Sequence, residues 1–305
     1  MALKRNVLIF HSGALGDFVL SWPLALAAGR LFAQSRVFYV TSKQKGLLAE
    51  KALRLESIDA ENGWHSLFAE KPNLPDIPAR LLAGAHSIVS FVAEPGSVWE
   101  RNVRQASDGA DVLCLAAHPP ADFTGHHTDF LLRQLSPSVI WQQGVTQLLA
   151  SLNARGLGHV APAGGPIVIH PGGGSPAKCW PLAKFIELAA ALKAAGRGVR
   201  FVIGEVEQER WPAADIAALR EVADVDSLAS LTDLLDRLKS ASTFVGNDSG
   251  PGHIAGILGV PTVSLFGSTD PTRWRPIGPK VSVVQAETLN EIAVEQVLKA
   301  VAGED

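Results

Sequence analysis

Thr243-Phe-Val-Gly-Asn-Asp-Ser-Gly-Pro-Gly-His-Ile-Ala-Gly-Ile-Leu-Gly-Val-Pro-Thr-Val-Ser-Leu-Phe266 is the stretch from which the fold is read. Thr243–Val245 is a short β-rich run and Thr262–Phe266 is another. Between them a Gly- and Pro-rich turn leads into small and apolar residues that suit a helix. Strand, loop, helix and strand in that order make a βαβ unit, which builds a parallel sheet.

Working outward, the same alternation continues on both sides. Ile167–Ile169, Val199–Ile203 and Val281–Val284 read as further buried strands of this half. From Pro181 onward, Leu182, Phe185, Ile186, Ala189 and Leu192 recur at helical spacing, and Gly196 ends the helix. A second helix is expected over Leu228–Lys239, with Asp226 and Ser227 as its caps. A last amphipathic helix is expected over Leu289–Val301.

The first half repeats the scheme with Val7–Phe10, Val37–Val40, Ile88–Val92 and Val112–Leu115. Its first helix, after Asp17, contains Pro23 and must kink or restart there. Between the halves, Gly156–Pro166 has the composition of an interdomain linker. Two domains are expected, residues 1–156 and 166–305, each a doubly wound Rossmann-like α/β sheet.

Length and composition agree with that division. The 305 residues are 47% hydrophobic, enough for two cores at roughly 100–200 residues per domain. Lys plus Arg number 27 and Asp plus Glu 30, a net charge of -3, and like charges form no block. That argues against a nucleic-acid partner. Cys114 and Cys179 make no disulfide framework, and a cytoplasmic chain is expected. Val7–Phe10 is too short for a signal-peptide core. The longest apolar stretch, Phe18–Ala28, is broken by Ser21 and Pro23 and falls short of the ~20 residues of a membrane span. Peripheral contact with a membrane surface stays open.

Ligands of open α/β sheets bind at the carboxyl ends of strands. Three loops at such ends have unusual composition. His11-Ser-Gly-Ala-Leu-Gly-Asp17 follows the first strand and places Gly16 and Asp17 at a helix start, whose positive end favours a carboxylate. Taken alone, Asp17 reads as a helix cap. The loop lacks the G-x-G-x-x-G spacing, and the second strand ends in Thr41 and Ser42 without a ribose-binding acid, so a dehydrogenase is disfavoured.

The second loop is His170-Pro-Gly-Gly-Gly-Ser-Pro-Ala-Lys178. Amides around Gly173, Gly174 and Ser175 suit a phosphate, and Lys178 adds positive charge. A cation just before a helix is disfavoured unless an anion answers it, which points to an anionic ligand. The third loop offers Asp248 to sugar or ribose hydroxyls, the Ser249 and Gly250 amides to an anion, and His253 to a phosphate.

These segments together resemble glycosyltransferase family 9, the ADP-heptose:lipopolysaccharide heptosyltransferases. The matching stretches are Gly13–Leu20, His170–Pro181, Gly246–His253 and Leu265–Trp274, in order along nearly the whole chain. The resemblance implies a GT-B fold, with two Rossmann-like domains facing a central cleft. It further implies inverting transfer without a metal or other cofactor. The donor is then a nucleotide-sugar, ADP-heptose, and the acceptor a glycolipid or oligosaccharide of lipopolysaccharide type. That places the chain at the cytoplasmic face of the inner membrane. Asp17 becomes the general base on the acceptor side. Gly16, His170, Gly173, Gly174, Ser175, Lys178, Asp248, Ser249, Gly250 and His253 hold the donor. In such folds the last helix often crosses back onto the first domain.

Two departures stand out. Gly252 replaces a bulkier residue, which is expected to enlarge the pocket, and Ser90–Arg101 does not match the family on the side that faces the acceptor. Asp224-Val-Asp226 has the form of a metal-binding D-x-D but is read as caps and solvated charge before a helix. No Cys or carboxylate lies at metal-ligand spacing from His118, His126 and His127, and His126 or His127 is expected to start the helix Thr128–Leu135. Trp180 and Trp274 are read as packing residues. A nucleotide-sugar epimerase or hydrolase, and a non-catalytic nucleotide-sugar-binding protein, are the competing readings.

Overall fold

The computed structural model describes residues 6–303. The chain divides into two compact units at the Leu149–Ala150 bond.

The first unit holds a five-stranded parallel sheet in the order β3-β2-β1-β4-β5. Its strands are β1 (Asn6–Phe10), β2 (Arg36–Thr41), β3 (Glu56–Asp59), β4 (Ala85–Ser90) and β5 (Asp111–Cys114). Its helices are α1 (Leu15–Leu20), α2 (Trp22–Leu31), α3 (Lys43–Leu53), α4 (Asp76–Ala83), α5 (Val98–Ser107), α6 (His127–Gln134) and α7 (Val139–Arg155). The chain restarts between α1 and α2 at Ser21, which leaves Pro23 in the first turn of α2, where its missing N–H costs nothing. Helix α7 runs across the division, which therefore falls inside a helix and not in the Gly/Pro segment 156–166.

The second unit holds a six-stranded parallel sheet in the order β11-β10-β9-β6-β7-β8. The strands are β6 (Ile167–His170), β7 (Val199–Ile203), β8 (Asp224–Ser227), β9 (Thr243–Asn247), β10 (Thr262–Phe266) and β11 (Val281–Gln285). The helices are α8 (Leu182–Ala194), α9 (Glu205–Arg210), α10 (Ala213–Val222), α11 (Leu231–Ser240), α12 (Gly250–Leu258), α13 (Pro271–Trp274) and α14 (Val294–Ala302). Both sheets reverse direction about a central strand, as in doubly wound folds.

Each unit has its own core. In the first, Phe10 meets Trp64 and Trp99 edge-on at 5.0 Å, with Leu8, Phe38, Ile88 and Val112 around them. In the second, Phe185, Leu188 and Leu192 of α8 pack on Ile169, Phe201 and Val245 of the sheet. Val294 and Val297 of α14 join the same core, so the apolar face of the last helix is accounted for within its own unit. Among the described residues no helix is long and apolar enough to cross a membrane.

The strands that hydrophobic patterning missed are β3, Glu-Ser-Ile-Asp, and β8, Asp-Val-Asp-Ser. Both are edge strands, where charge is tolerated and blunts edge-to-edge pairing. Arg36 of β2 pairs with Glu56 of β3, and Arg200 of β7 with Asp224 and Asp226 of β8. Asp226 also meets Arg237 at 2.9 Å. The D-x-D pair is thus an ion-paired edge strand and not a set of helix caps. The helix expected from Leu228 starts at Leu231, because Ser230 accepts a hydrogen bond from the Asp233 amide at 3.1 Å. Strand β4 ends at Ser90, whose hydroxyl accepts from the Val92 amide and turns the chain. Strand β9 runs two residues further than expected, so Gly246 and Asn247 are strand residues.

Candidate functional site

In the second unit β6 and β9 are neighbours, paired from Ile167–Thr243 to His170–Gly246. The loops that leave their carboxyl ends therefore lie side by side. One carries Gly172–Lys178 and the other Asp248–Gly250. The Lys178 ammonium stands 3.6 Å from the Asp248 carboxylate, with the lysine side chain 45% exposed and the aspartate 11%. The anion that answers this cation is thus a side chain of the protein. The lysine remains open enough to meet a ligand as well.

The pair borders a recess lined by Ala177, Leu265, Gly267, Ser268, Thr269 and Leu289. Ser268 and Thr269 follow β10 at its carboxyl end and were not singled out as site residues from the sequence. The signal was present, because the rule that selects the other loops applies to this one.

The remaining residues expected to hold a donor fall into two groups. Gly174 and Ser175 are exposed, Gly173 is half-buried, and Ser249 and Gly250 are half-buried at the start of α12. Ser249 occupies the N-cap without a side-chain cap bond, so its hydroxyl instead donates to the Asn247 carbonyl. His170 and His253 are buried at the end of β6 and one turn into α12. The His170 imidazole lies 3.9 Å from Glu207, and burial pushes its pKa down, against the pull of that carboxylate. Glu207 itself accepts from the Gly204 amide at 2.9 Å and backs the loop so closely that a Cβ at residue 172 would strike its carboxylate. Gly252 faces Phe244, Ser264 and Pro276 inside the unit, so it does not enlarge the recess. Trp180 is a packing residue, edge-on to Phe185 at 4.9 Å with its indole N–H donating to the Ile292 carbonyl.

In the first unit, Ala14 is the N-cap of α1 and Asp17 sits in its first turn, so Asp17 is not the cap. Its carboxylate lies 3.7 Å from the His118 imidazole, with the aspartate side chain 13% exposed and the histidine 60%. His118 is carried by the loop that leaves β5. Helix α6 holds that loop from two points. Gln134 exchanges two hydrogen bonds with the Ala116 backbone, and the His127 Nε2–H donates to the Ala117 carbonyl at 2.8 Å. His126 caps α6, with its amide donating to Asp129 in return.

Lys45 of α3 secures the other side of the Asp17 loop. Its ammonium donates to the Gly13 carbonyl at 2.7 Å and lies over the Phe18 ring. Burial lowers the Lys45 pKa, while Asp17 raises it. His11, under the loop, is pushed down to about 3 by burial first and by the nearby Lys45, His127 and His118 charges second. It is therefore neutral at physiological pH. Phe91, from the segment that departs from the family, packs on the His11 ring at 5.4 Å. Neither Lys45 nor Phe91 has a motif of its own, and only the fold brings Lys45 to Asp17 and Phe91 to His11.

Residues 144–300 match the description of glycosyltransferase family 9 (heptosyltransferase). The lipopolysaccharide heptosyltransferase 3 of Escherichia coli is 34% identical over 125 residues, which is 40% of this chain and 37% of that protein. The chain thus aligns with little more than a third of that relative's length. A family 9 glycosyltransferase from Veillonella parvula superposes with a TM-score of 0.72 at 17% identity, covering 99% of this chain and 97% of the other. The E. coli heptosyltransferase WaaC with ADP superposes at 0.68 and 16% identity, covering 99% and 100%. At these identities the structures speak for the shared GT-B-type α/β fold.

Proposed function

The chain belongs to glycosyltransferase family 9, the heptosyltransferases, and we propose that it transfers a sugar, with inversion and without a metal, from an ADP-sugar to a lipopolysaccharide-type acceptor. A heptose as that sugar is supported by the name of the E. coli relative, and ADP by the nucleotide on WaaC. The observation that carries the reading is the Lys178–Asp248 pair beside the recess at the ends of β6, β9 and β10. A half-exposed ammonium next to glycine-rich amides answers the negative charge of a diphosphate.

In this reading Asp17 accepts the proton of the acceptor hydroxyl as its oxygen attacks the anomeric carbon. The bond from that carbon to the diphosphate oxygen breaks on the opposite face. ADP leaves with the electron pair, and Lys178 with the loop amides stabilises the charge it gains. Asp248 holds the lysine, and its carboxylate oxygens can accept from sugar hydroxyls as well.

Calorimetric titration with ADP, UDP, GDP and NAD, with and without magnesium, tests the donor half. Selective ADP binding that is indifferent to magnesium is expected. Preference for another nucleotide, or dependence on the metal, defeats the donor assignment. Product analysis with ADP-heptose and a lipopolysaccharide acceptor tests the transfer itself.

A further inference from the structure

Asn247 ends β9 with its side chain wholly buried, and its carboxamide makes three hydrogen bonds to the backbone of one loop. Oδ1 accepts from the Trp180 amide at 2.9 Å. Nδ2 donates to the carbonyls of Pro171 at 3.0 Å and Gly172 at 2.9 Å. A carbonyl only accepts and a backbone amide only donates, so the orientation of the carboxamide is settled by its partners.

These bonds bracket the loop. Two hold it where it leaves β6, and one holds it where it enters α8. Everything the loop presents to the recess, Lys178 included, hangs between those points. Glycine-rich backbone has many conformations open to it, and an ammonium carried on it needs an anchor outside the loop. The neighbouring Asp248 meets that same ammonium, so one residue pair at the end of β9 governs both the path of the loop and the placing of its charge. Aspartate at 247 would set an oxygen against two carbonyls, and an apolar residue would leave three backbone groups buried and unpaired.

We propose that Asn247 is the positioning residue of the phosphate site, setting the 171–180 loop so that Lys178 and its neighbouring amides meet the donor diphosphate. The role rests on the nucleotide-sugar reading above. Asn247 acts through the loop and does not touch the nucleotide.

The test is a cycle of ADP titrations on the parent, Asn247→Ala, Lys178→Ala and the double variant, each with a thermal melt. Val202→Ala, a truncation in the buried interior of β7, controls for a general loss of stability. Asn247→Ala is expected to weaken ADP about tenfold or more, and Lys178→Ala to cost less than about twofold in that background, as expected of coupled sites. Val202→Ala should keep both the parent affinity and the full Lys178 effect. If the alanine variant does not fold, Asn247→Ser, which retains one hydroxyl for the Trp180 amide, is read in its place. Parent-like ADP affinity in the Asn247 variant, or an undiminished Lys178 effect, overturns the positioning role and leaves the nucleotide reading intact. No ADP binding by the parent overturns both.

Discussion

The Asp17 carboxylate lies 3.7 Å from the His118 imidazole, although Asp17 sits in the first turn of α1, after β1, and His118 in the loop after β5. Strand β4 lies between these strands, so their ends are about 10 Å apart and the β5 loop must reach across. Gln134 and His127 hold it there. If Asp17 is the base, an imidazole at this distance is placed to aim its carboxylate.

Asp17→Asn therefore keeps ADP affinity and loses transfer, by about 10²–10⁴-fold in kcat, the range of a general base. Calorimetry and an initial-rate assay on one preparation check this. A variant that transferred at the parent rate would remove Asp17 from the chemistry.

His118→Ala leaves the base in place and removes its neighbour. A loss of about tenfold in kcat, near 1.4 kcal/mol, with ADP affinity unchanged is expected. Full activity in the variant would make the contact incidental.

Lys178→Ala should weaken ADP binding about tenfold or more, as for a lost charge-assisted bond. The Lys178–Asp248 pair is half-exposed on the lysine side, so its own share of stability is within about 1 kcal/mol. The melting temperature should accordingly stay close to that of the parent. A large fall in melting temperature without a change in ADP affinity would reverse the assignment.

Gly172→Ala forces a Cβ against the Glu207 carboxylate, which the Gly204 amide already holds. The overpacking should cost about 1–3 kcal/mol. Glu207→Ala in the same chain should recover part of that loss, and denaturant melts of the parent, the two single variants and the double variant measure it.

Acid should weaken the first unit through His11. Its folded pKa of about 3 lies below the ordinary 6.5, so between those values the unfolded chain binds the proton and the folded chain does not. Stability is then fully present above pH 6.5 and falls as pH drops toward 3, by up to about 1.4 kcal/mol per pH unit for this one group. His11→Phe should flatten that part of the profile, and urea melts across the range follow it.

Much of this protein is legible along the chain. Buried parallel strands are continuous apolar runs, so nine of them could be placed from Val7–Phe10 to Val281–Val284. The edge strands β3 and β8 carry no such run, and they became visible only through the arginines that pair with them. The loops proposed to hold the donor announced themselves by glycine content. Asn247 did not, because it reads as one more polar loop residue until the strand is seen to extend through it.

By itself the sequence determined the alternation of strands and helices, the composition of the loops and the family to which they belong. These are local properties, carried by residues a few positions apart. Tertiary structure decided which loops meet. Placing β6 beside β9 set Lys178 against Asp248 and put Asn247 under the loop it holds, and the β5 loop, reaching across β4, set His118 against Asp17. Such pairings depend on strand order, which crossover connections make independent of chain order, so no spacing in the sequence records them.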